Sequence, residues 1–220
     1  MTTKKGQTAR PKILGGKDRG YLERARAVIG VDEVGRGSLA GPVVICAARF
    51  DRIPRSSRVC DSKQLTAKQR RETAVWLRAI CHAWVIVEVW QEVIDEINIL
   101  EATRLAMRSG VRSLVENGDE VIVDHVDLGD LGVPVHSFKR ADSAYFSVAA
   151  ASVLAKVHRD EIMVQLGAED GRWEWASNKG YGTLVHRCAI GTYGRSYLHR
   201  QSFQVSPVLP LMPRTKNARG

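Results

Sequence analysis

The chain has 220 residues, a length that suits one large domain or a domain with a small appendage. Its 33 lysines and arginines exceed its 24 aspartates and glutamates, giving a net charge of +9, and 44% of its residues are hydrophobic. A globular core with a basic excess favours a polyanionic partner such as nucleic acid. No apolar run approaches the ~20 residues that cross a bilayer, and the basic N-terminal segment lacks the apolar stretch of a signal peptide. The scattered cysteines form no CxxC pair, so we expect a cytoplasmic protein with reduced thiols and no membrane association.

Composition divides the chain into three parts. Residues 1–20 are polar, glycine-rich and basic, which predicts a disordered arm. Residues 21–205 carry the periodic apolar segments of a folded domain, and a short helix is expected over 21–26 at its start. The segment from Arg195 is basic and then proline-containing, which predicts that it frays and leaves residues 206–220 as a flexible tail.

Apolar runs and capping signals predict the secondary structure of the folded part. Thr66 is the expected N-cap of one helix, and Asn98 is expected to interrupt a long helical region. Short links between the first strands, followed by alternating strands and helices, predict an α/β fold with a mixed sheet flanked by helices. The predicted strands are 27–34, 41–50, 83–90, 121–124 and 133–138, and the predicted helices are 66–82, 91–116, 143–167 and 184–193.

The first strand ends in two adjacent carboxylates, Asp32 and Glu33, followed by the turn Gly35-Arg36-Gly37. Neighbouring side chains point to opposite faces of a regular strand, but the glycines relax the backbone and allow both acids to border one cleft. Exposed N–H groups of a glycine-rich turn and the fork of Arg36 both suit a phosphate. The alternative is that both acids are solvated turn residues and that the glycines only form the turn.

Two nucleotide-binding motifs are excluded by the glycine spacing. Gly35-x-Gly37 continues to Gly41, one residue too far for a dinucleotide fingerprint. Arg36 and Gly37 stand where a P-loop needs lysine and a hydroxyl residue. These departures weaken the hypothesis of a nucleotide-binding oxidoreductase.

Ser62 and Lys63 lie just before the helix that Thr66 is expected to cap. A hydroxyl and an ammonium group beside a helix start suit an anion, so both residues are candidate phosphate contacts. A solvated loop is the alternative interpretation.

Further carboxylates follow later strands: Asp124 ends the fourth, and Asp142 follows the fifth. Sites in open α/β sheets gather beyond the carboxyl ends of strands, so these acids are expected to meet Asp32 and Glu33 at one edge. Repulsion between like charges would keep some of them protonated unless a cation were present. Oxygen-only ligands fit Mg²⁺ or Mn²⁺, and two such ions can support hydrolysis of a phosphodiester.

Each of the later acids has an alternative interpretation. Asp142 precedes a helix and is also a plausible N-cap. Asp124 has two neighbours, Asp127 and Asp130, which we interpret as loop acids. The joint pattern at several strand ends carries more weight than any single acid.

Six segments resemble, in sequence and in order, the type 2 ribonuclease H family, ribonuclease HII. The resemblance implies a ribonuclease H-like fold with a five-stranded mixed sheet, flanking helices and a C-terminal helical appendage. It also implies metal-dependent cleavage of the RNA strand of RNA–DNA hybrids, and cleavage 5′ to a ribonucleotide embedded in duplex DNA. The segments are GVDEVGRG (30–37), DSKQL (61–65), EINIL (96–100), AASVLAKVHRD (150–160), KGYGT (179–183) and HRQSF (199–203).

The resemblance also assigns roles to residues that match its motifs. It implies that Asp32, Glu33, Asp124 and Asp142 bind two Mg²⁺ or Mn²⁺ ions and are the catalytic acids. The turn Gly35-Arg36-Gly37 matches the segment that recognises the ribonucleotide 2′-hydroxyl and its phosphates. Tyr181 matches the tyrosine that packs on the sugar at the RNA-to-DNA junction, where the 2′-hydroxyl alone distinguishes RNA from DNA.

The chain departs from the family pattern at three places. His125 follows the third acid, where the family usually has glycine. Arg140-Ala141 precedes Asp142, where the family often has Lys-Gly. Gly182 stands where one variant of the family motif, Lys-Gly-Tyr-Pro-Thr, has proline. These departures affect the loops around Asp124 and Asp142. His125 is interpreted as a surface imidazole, with a supporting role at the metal site as the alternative.

We therefore expect a monomeric two-metal endoribonuclease that acts on RNA–DNA hybrids and on ribonucleotide-containing duplex DNA. The rival from another class is a non-catalytic basic protein that binds nucleic acid on a degenerate nuclease fold. It would bind duplexes in a salt-dependent way without cutting them. Retention of all the candidate acids argues against this rival.

Overall fold

A computed structural model describes residues 14–55, 59, 65–206 and 208. The strands are β1 Ala27–Val34, β2 Val43–Phe50, β3 Ala83–Val89, β4 Asp119–Asp124 and β5 Val135–Phe138. The helices are α1 Gly16–Leu22, α2 Ala67–Ile80, α3 Gln91–Ile97, α4 Ile99–Arg112, α5 Phe146–Glu169, α6 Trp175–Asn178 and α7 Leu184–Tyr193, with 3₁₀ turns at Ala141–Ser143 and Gly171–Trp173. No helix within these described ranges is long and apolar enough to cross a membrane.

The strands form one five-stranded sheet in the order β3-β2-β1-β4-β5. β1 pairs antiparallel with β2, which pairs antiparallel with β3. On its other side β1 pairs parallel with β4, which pairs parallel with β5. The predicted mixed sheet flanked by helices is therefore confirmed.

β1 lies at the centre of the sheet and is covered on both faces, as its continuous apolar sequence predicts. Ile29 and Val31 belong to the core beneath α4. Val28 belongs to a cluster that includes Val148 of α5, on the opposite face. Gly30 has no side chain, so α5 approaches the strand there: a Cβ at Gly30 would collide with the Ser147 carbonyl.

The predicted helix boundaries mostly hold, but the helical region expected to reach residue 116 ends at Arg112, and one helix starts late. Thr66 caps α2 in a capping box with Gln69. Asn98 separates α3 from α4, and its side chain accepts hydrogen bonds from the first turn of α4. The helix expected from residue 143 begins instead at Phe146, because residues 141–143 form a 3₁₀ turn.

The predicted boundaries at the two ends of the domain need correction. The prediction of a disordered arm over 1–20 is wrong for residues 16–20, which belong to α1. The short helix expected over 21–26 ends at Leu22. Asp18 anchors α1 because its buried carboxylate accepts hydrogen bonds from the Phe146 and Ser147 N–H groups. Residues 1–13 lie outside the described part of the chain.

The prediction that the chain frays from Arg195 onward is also wrong. His199 and Arg200 are buried, and Ala40 forms a β-bridge with His199. The Arg195 guanidinium donates to the carbonyls of Arg200 and Phe203, which ties the segment together. The tail over 206–220 falls outside the described residues except for Ser206 and Val208, so its flexibility stays a prediction.

Candidate active site

One open cleft of about 600 Å³ lies where the carboxyl ends of β1 and β4 meet. Val31 is paired with Val123 in the parallel register, so the next residues along the two strands, Asp32 and Asp124, lie side by side. The residues that line the cleft are Asp32, Glu33, Val34, Gly35, Arg36, Gly37, Arg70, Asp124, Asp142, Ser152, Lys156 and Tyr181. The structure thus brings together the predicted acids, the turn and the tyrosine.

Asp32 is the most enclosed of the acids on β1, with 7% of its surface exposed. Burial raises the pKa of Asp32 well above its usual value, and the negative charges of Glu33 and Asp124 raise it further. A hydrogen bond from Ser152 on α5 partly opposes that rise in pKa. The three carboxylates therefore lie close enough together to interact electrostatically.

Glu33 occupies the other side of the strand end and also borders the cleft. Burial raises its pKa, whereas the charge of Arg36 lowers it and that of Asp124 raises it again. The Arg36 guanidinium lies 3.6 Å from the Glu33 carboxylate. The positive charge of Arg36 therefore lies beside the acids that line the cleft.

Asp124, the last residue of β4, and Asp142, in the 3₁₀ turn that follows β5, both reach the cleft. The Ala141 N–H donates to Asp124 Oδ1 at 3.2 Å, which links this turn to the end of β4. His125 is exposed and has a φ of 52°, a left-handed conformation in which glycine is less strained. The exposed imidazole agrees with its interpretation as a surface residue, and the φ value explains why glycine suits this position.

The other acids near Asp124 serve the loop itself. Asp127 accepts a hydrogen bond from the Gly129 N–H, and Asp130 accepts one from the Gly132 N–H. Both side chains stabilise turns two residues ahead, a usual role of aspartate in loops. Their interpretation as loop acids is confirmed.

The chemistry of the cleft fits a hard divalent cation. Its candidate ligands are carboxylate oxygens only, which favours Mg²⁺ or Mn²⁺ over zinc. The raised pKa of Asp32 and that of Glu33 mark a site where nearby positive charge would stabilise the ionised acids. Within the described ranges, no three His, Cys, Asp or Glu side chains lie close enough together to hold a metal ion in their present positions. The acids therefore surround an open cleft.

Tyr181 borders the same cleft, close to two basic side chains. The Arg159 guanidinium carbon lies 5.4 Å from the ring centre, and Lys156 Nζ lies 5.8 Å from it. The Tyr181 carbonyl is hydrogen-bonded at 3.0 Å to His186 Nδ1, at the start of α7. Gly182, one of the departures from the family pattern, has Leu39 as its close neighbour.

Several residues of the site escaped the sequence analysis. Arg70, Ser152 and Lys156 line the cleft, and Arg159 and Arg200 lie buried beneath the turn. Lys156 and Arg159 lie in the segment 150–160 and Arg200 in the segment 199–203, both of which carry the family resemblance, but nothing in those segments indicated a role for these residues. Ser62 and Lys63 lie outside the described residues, so their contact with phosphate stays a prediction.

A five-stranded mixed sheet whose strand ends bring acids to one open cleft defines a metal-dependent nuclease with a ribonuclease H fold. The family model described as Ribonuclease HII matches residues 29–206. The ribonuclease HII of Chlorobaculum parvum is 43% identical over 188 residues, covering 83% of this chain and 92% of that protein. The chain belongs to the ribonuclease HII family, whose members cleave the RNA strand of RNA–DNA hybrids.

Two solved structures share the fold over most of their length. The ribonuclease H2 of Pyrococcus horikoshii is 27% identical, covers 81% of this chain and 94% of its own, and superposes with a TM-score of 0.67. The ribonuclease HII of Archaeoglobus fulgidus, solved in a complex with PCNA, is 26% identical, covers 79% and 92%, and gives a TM-score of 0.69. The predicted ribonuclease H-like fold is confirmed.

Proposed function

We propose that this protein nicks duplex DNA on the 5′ side of an embedded ribonucleotide, in addition to cleaving RNA–DNA hybrids. The observation that supports this proposal is the meeting of Asp32, Glu33, Asp124 and Asp142 beside the turn 35–37 in one cleft. The acids supply the hydrolytic centre, and the turn supplies hydrogen-bond donors that can recognise the 2′-hydroxyl of the sugar.

The four acids are proposed to hold two divalent ions, Mg²⁺ or Mn²⁺. Such ions would supply the chemistry that activates a water molecule and stabilises the leaving oxygen, and the proposed products are 5′-phosphate and 3′-hydroxyl ends. Asp32 and Asp124 lie side by side at the ends of parallel strands and would hold their carboxylates in fixed positions. Ser152 orients Asp32 from α5 through its hydrogen bond.

The turn and Tyr181 are proposed to recognise the ribonucleotide. Gly35, Arg36 and Gly37 face the cleft beside Glu33 and offer backbone N–H donors and a guanidinium to the 2′-hydroxyl and the adjacent phosphate. Tyr181 would lie against the next sugar, where a ring in contact favours a deoxyribose without the extra hydroxyl. The proposed preference for an RNA-to-DNA junction follows from these two contacts.

A nicking assay with defined duplexes tests the proposal. The substrates are a DNA duplex with one ribonucleotide, the same duplex without it, and an RNA–DNA hybrid, each with Mg²⁺ or Mn²⁺ and with a chelator. We expect nicking 5′ to the ribonucleotide, none in the all-DNA duplex, and none with chelator or with Asp32→Asn. Salt-dependent binding without cutting in either metal would favour the non-catalytic rival.

The protein is proposed to act on these substrates as a monomer. A single copy of the chain supplies the four proposed metal ligands, the turn and Tyr181, so the proposed centre needs no residue from a second copy. Sedimentation of the protein alone and with a duplex tests this, and a dimer at assay concentration would contradict it.

A further inference from the structure

Two buried arginines, Arg159 and Arg200, lie beneath the turn that borders the cleft. Arginine is rarely fully buried unless it is paired with an acid. Neither of these arginines has a carboxylate within salt-bridge distance among the described residues. Burial lowers the pKa of both, and for Arg200 the charge of Arg159 contributes to a value of about 9. Arg200 therefore remains charged at neutral pH.

Backbone carbonyls take the place of acids around Arg200. Its guanidinium donates to the Gly35 carbonyl at 2.8 Å and to the Arg36 carbonyl at 2.8 Å. The same group donates to the Gly41 carbonyl at 3.0 and 3.2 Å. The guanidinium thus ties the turn to the segment just before β2.

Arg159 makes a similar set of contacts from α5. It donates to the carbonyls of Pro42 at 2.9 Å, Ala40 at 3.2 Å and Lys179 at 2.9 Å. The last of these carbonyls belongs to the segment that carries Tyr181. Gly35 has a φ of 88°, and a Cβ there would collide with the Arg159 guanidinium, so the turn is closely packed on this arginine as well.

The carbonyl contacts of Arg200 fix the direction of the N–H groups in the turn. The described part of the chain contains no cis peptide bond, and in a trans peptide the C=O and N–H point in opposite directions. Because Arg200 holds the carbonyls of Gly35 and Arg36, the N–H groups of Arg36 and Gly37 point away from it. No intramolecular acceptor for these two N–H groups is found among the described residues.

We infer that Arg200, with Arg159 beside it, is a positioning residue that makes the turn selective for a ribonucleotide. It directs the N–H groups of Arg36 and Gly37 toward the cleft and polarises their peptide groups with a buried positive charge. Arg159 sets the distance between this turn and Tyr181. The inference rests on the proposed function, because it assigns a means of substrate selection to the same site.

The variant Arg200→Lys tests whether positioning of the turn needs the shape of the guanidinium or only its positive charge. Lysine keeps the positive charge but replaces the planar fork with one ammonium group, which cannot hold all three carbonyls in the same geometry. The experiment measures the Kd of the single-ribonucleotide duplex and of the matching all-DNA duplex in Ca²⁺, after cleavage under these conditions has been excluded. It also measures kcat and KM for the ribonucleotide duplex in Mg²⁺.

For Arg200→Lys we expect the preference for the ribonucleotide duplex, expressed as the ratio of the two Kd values, to fall about tenfold. The Kd of the all-DNA duplex should change less than about twofold, because the charge remains. KM for the ribonucleotide duplex should rise with the loss of preference. The matched control is Arg172→Lys, which changes an exposed arginine that pairs with Asp170, and it should leave both Kd values unchanged.

Unchanged preference in Arg200→Lys, or an equal loss of affinity for both duplexes, overturns the inference while the wild type still discriminates and cuts. A wild type that neither discriminates nor cuts overturns the proposed function, and the inference with it. If Arg200→Lys melts below the assay temperature, Arg159→Lys is measured in the same way and should show the same selective loss. Unfolding of both variants would show that the pair supports the fold alone and overturns the inference.

Discussion

The backbone of Ser147 at the start of α5 lies directly against Gly30 in the middle of β1. A methyl group at Gly30 would collide with the Ser147 carbonyl and the Val148 nitrogen, and backbone atoms cannot rotate away as a side chain can. This close approach is what brings the Ser152 hydroxyl to Asp32, two residues further along the strand. The geometry of the site therefore depends on a residue without a side chain.

Gly30→Ala is expected to destabilise the protein by about 1–3 kcal/mol and to reduce nicking, because α5 must move away from β1. Thermal melting and the nicking rate measure the two effects. Gly20→Ala is the matched control, since a Cβ there meets nothing within 4 Å and alanine favours its helix. Equal melting temperatures for Gly30→Ala and the wild type would disprove the close approach.

Asp32→Asn is expected to abolish nicking and yet stabilise the metal-free protein. Asparagine removes a buried negative charge that Glu33 and Asp124 repel. We expect a gain in stability that grows as the pH rises and a loss of nicking of at least about a hundredfold. Asp130→Asn, which alters a loop acid, should change neither quantity. A lower melting temperature for Asp32→Asn without metal would contradict the repulsion.

Protons and metal ions are expected to compete for the acidic cluster. Burial and neighbouring charge raise the pKa of Asp32 and that of Glu33, so both acids hold protons at higher pH than usual. As the pH rises these protons are lost, and the half-saturating Mg²⁺ concentration for nicking should fall by up to about tenfold per pH unit for each proton displaced. Titrations of nicking with Mg²⁺ between pH 5 and pH 8 would test this, and a constant half-saturating concentration would refute it.

His125→Gly is expected to raise stability slightly without changing nicking. The backbone at His125 is left-handed, a conformation that costs a non-glycine residue about 1 kcal/mol, although glycine loses more entropy on folding. We expect a net gain of about 0–1 kcal/mol, measured by denaturant unfolding. If nicking fell at least about tenfold at saturating Mg²⁺, His125 would instead support the metal site.

Acid is expected to destabilise the segment that holds Tyr181. His186 Nε2 and His199 Nε2 are 3.1 Å apart, and both rings are buried. Burial lowers the pKa of both residues, that of His199 to about 4 with the help of the His186 charge. Because the unfolded chain binds these protons more readily, stability should be complete above about pH 6.5 and decline as the pH falls toward 4.

The expected loss of stability from His199 is about 2–3 kcal/mol over this range. Denaturant unfolding at a series of pH values measures it. His199→Gln should show a shallower decline between pH 6.5 and pH 4 than the wild type, because one titrating group is gone. An identical pH dependence in the two proteins would exclude His199 as a source of the effect.

The elements and the acids were predictable because their signals are local. An apolar run that ends in Asp32 and Glu33 marks a buried strand that emerges from the core, and Thr66 with Gln69 marks a helix start. The parallel pairing of β1 with β4, which brings Asp124 beside Asp32, follows from the usual rules for alternating strands and helices.

The supporting contacts were not predictable because their partners are distant in sequence. Arg200 reaches the Gly35 carbonyl across 165 positions, and Arg159 reaches the Pro42 carbonyl across 117. Backbone carbonyls occur at every residue, so no side-chain pattern shows which of them a buried arginine will bind. Both arginines count toward the net charge of +9, but their burial keeps them in the interior, where they cannot contact a polyanion directly.

The anchoring of α1 changes where the functional unit begins. Asp18 is an N-terminal clamp for α5, since it satisfies N–H groups at the start of that helix and also the Ser147 hydroxyl. A shortened form that began at Tyr21, the boundary expected from composition, would leave those buried donors without an acceptor. Removal of Asp18 with the basic N-terminus would thus destabilise the first turn of α5, the long helix that carries Ser152 and Arg159.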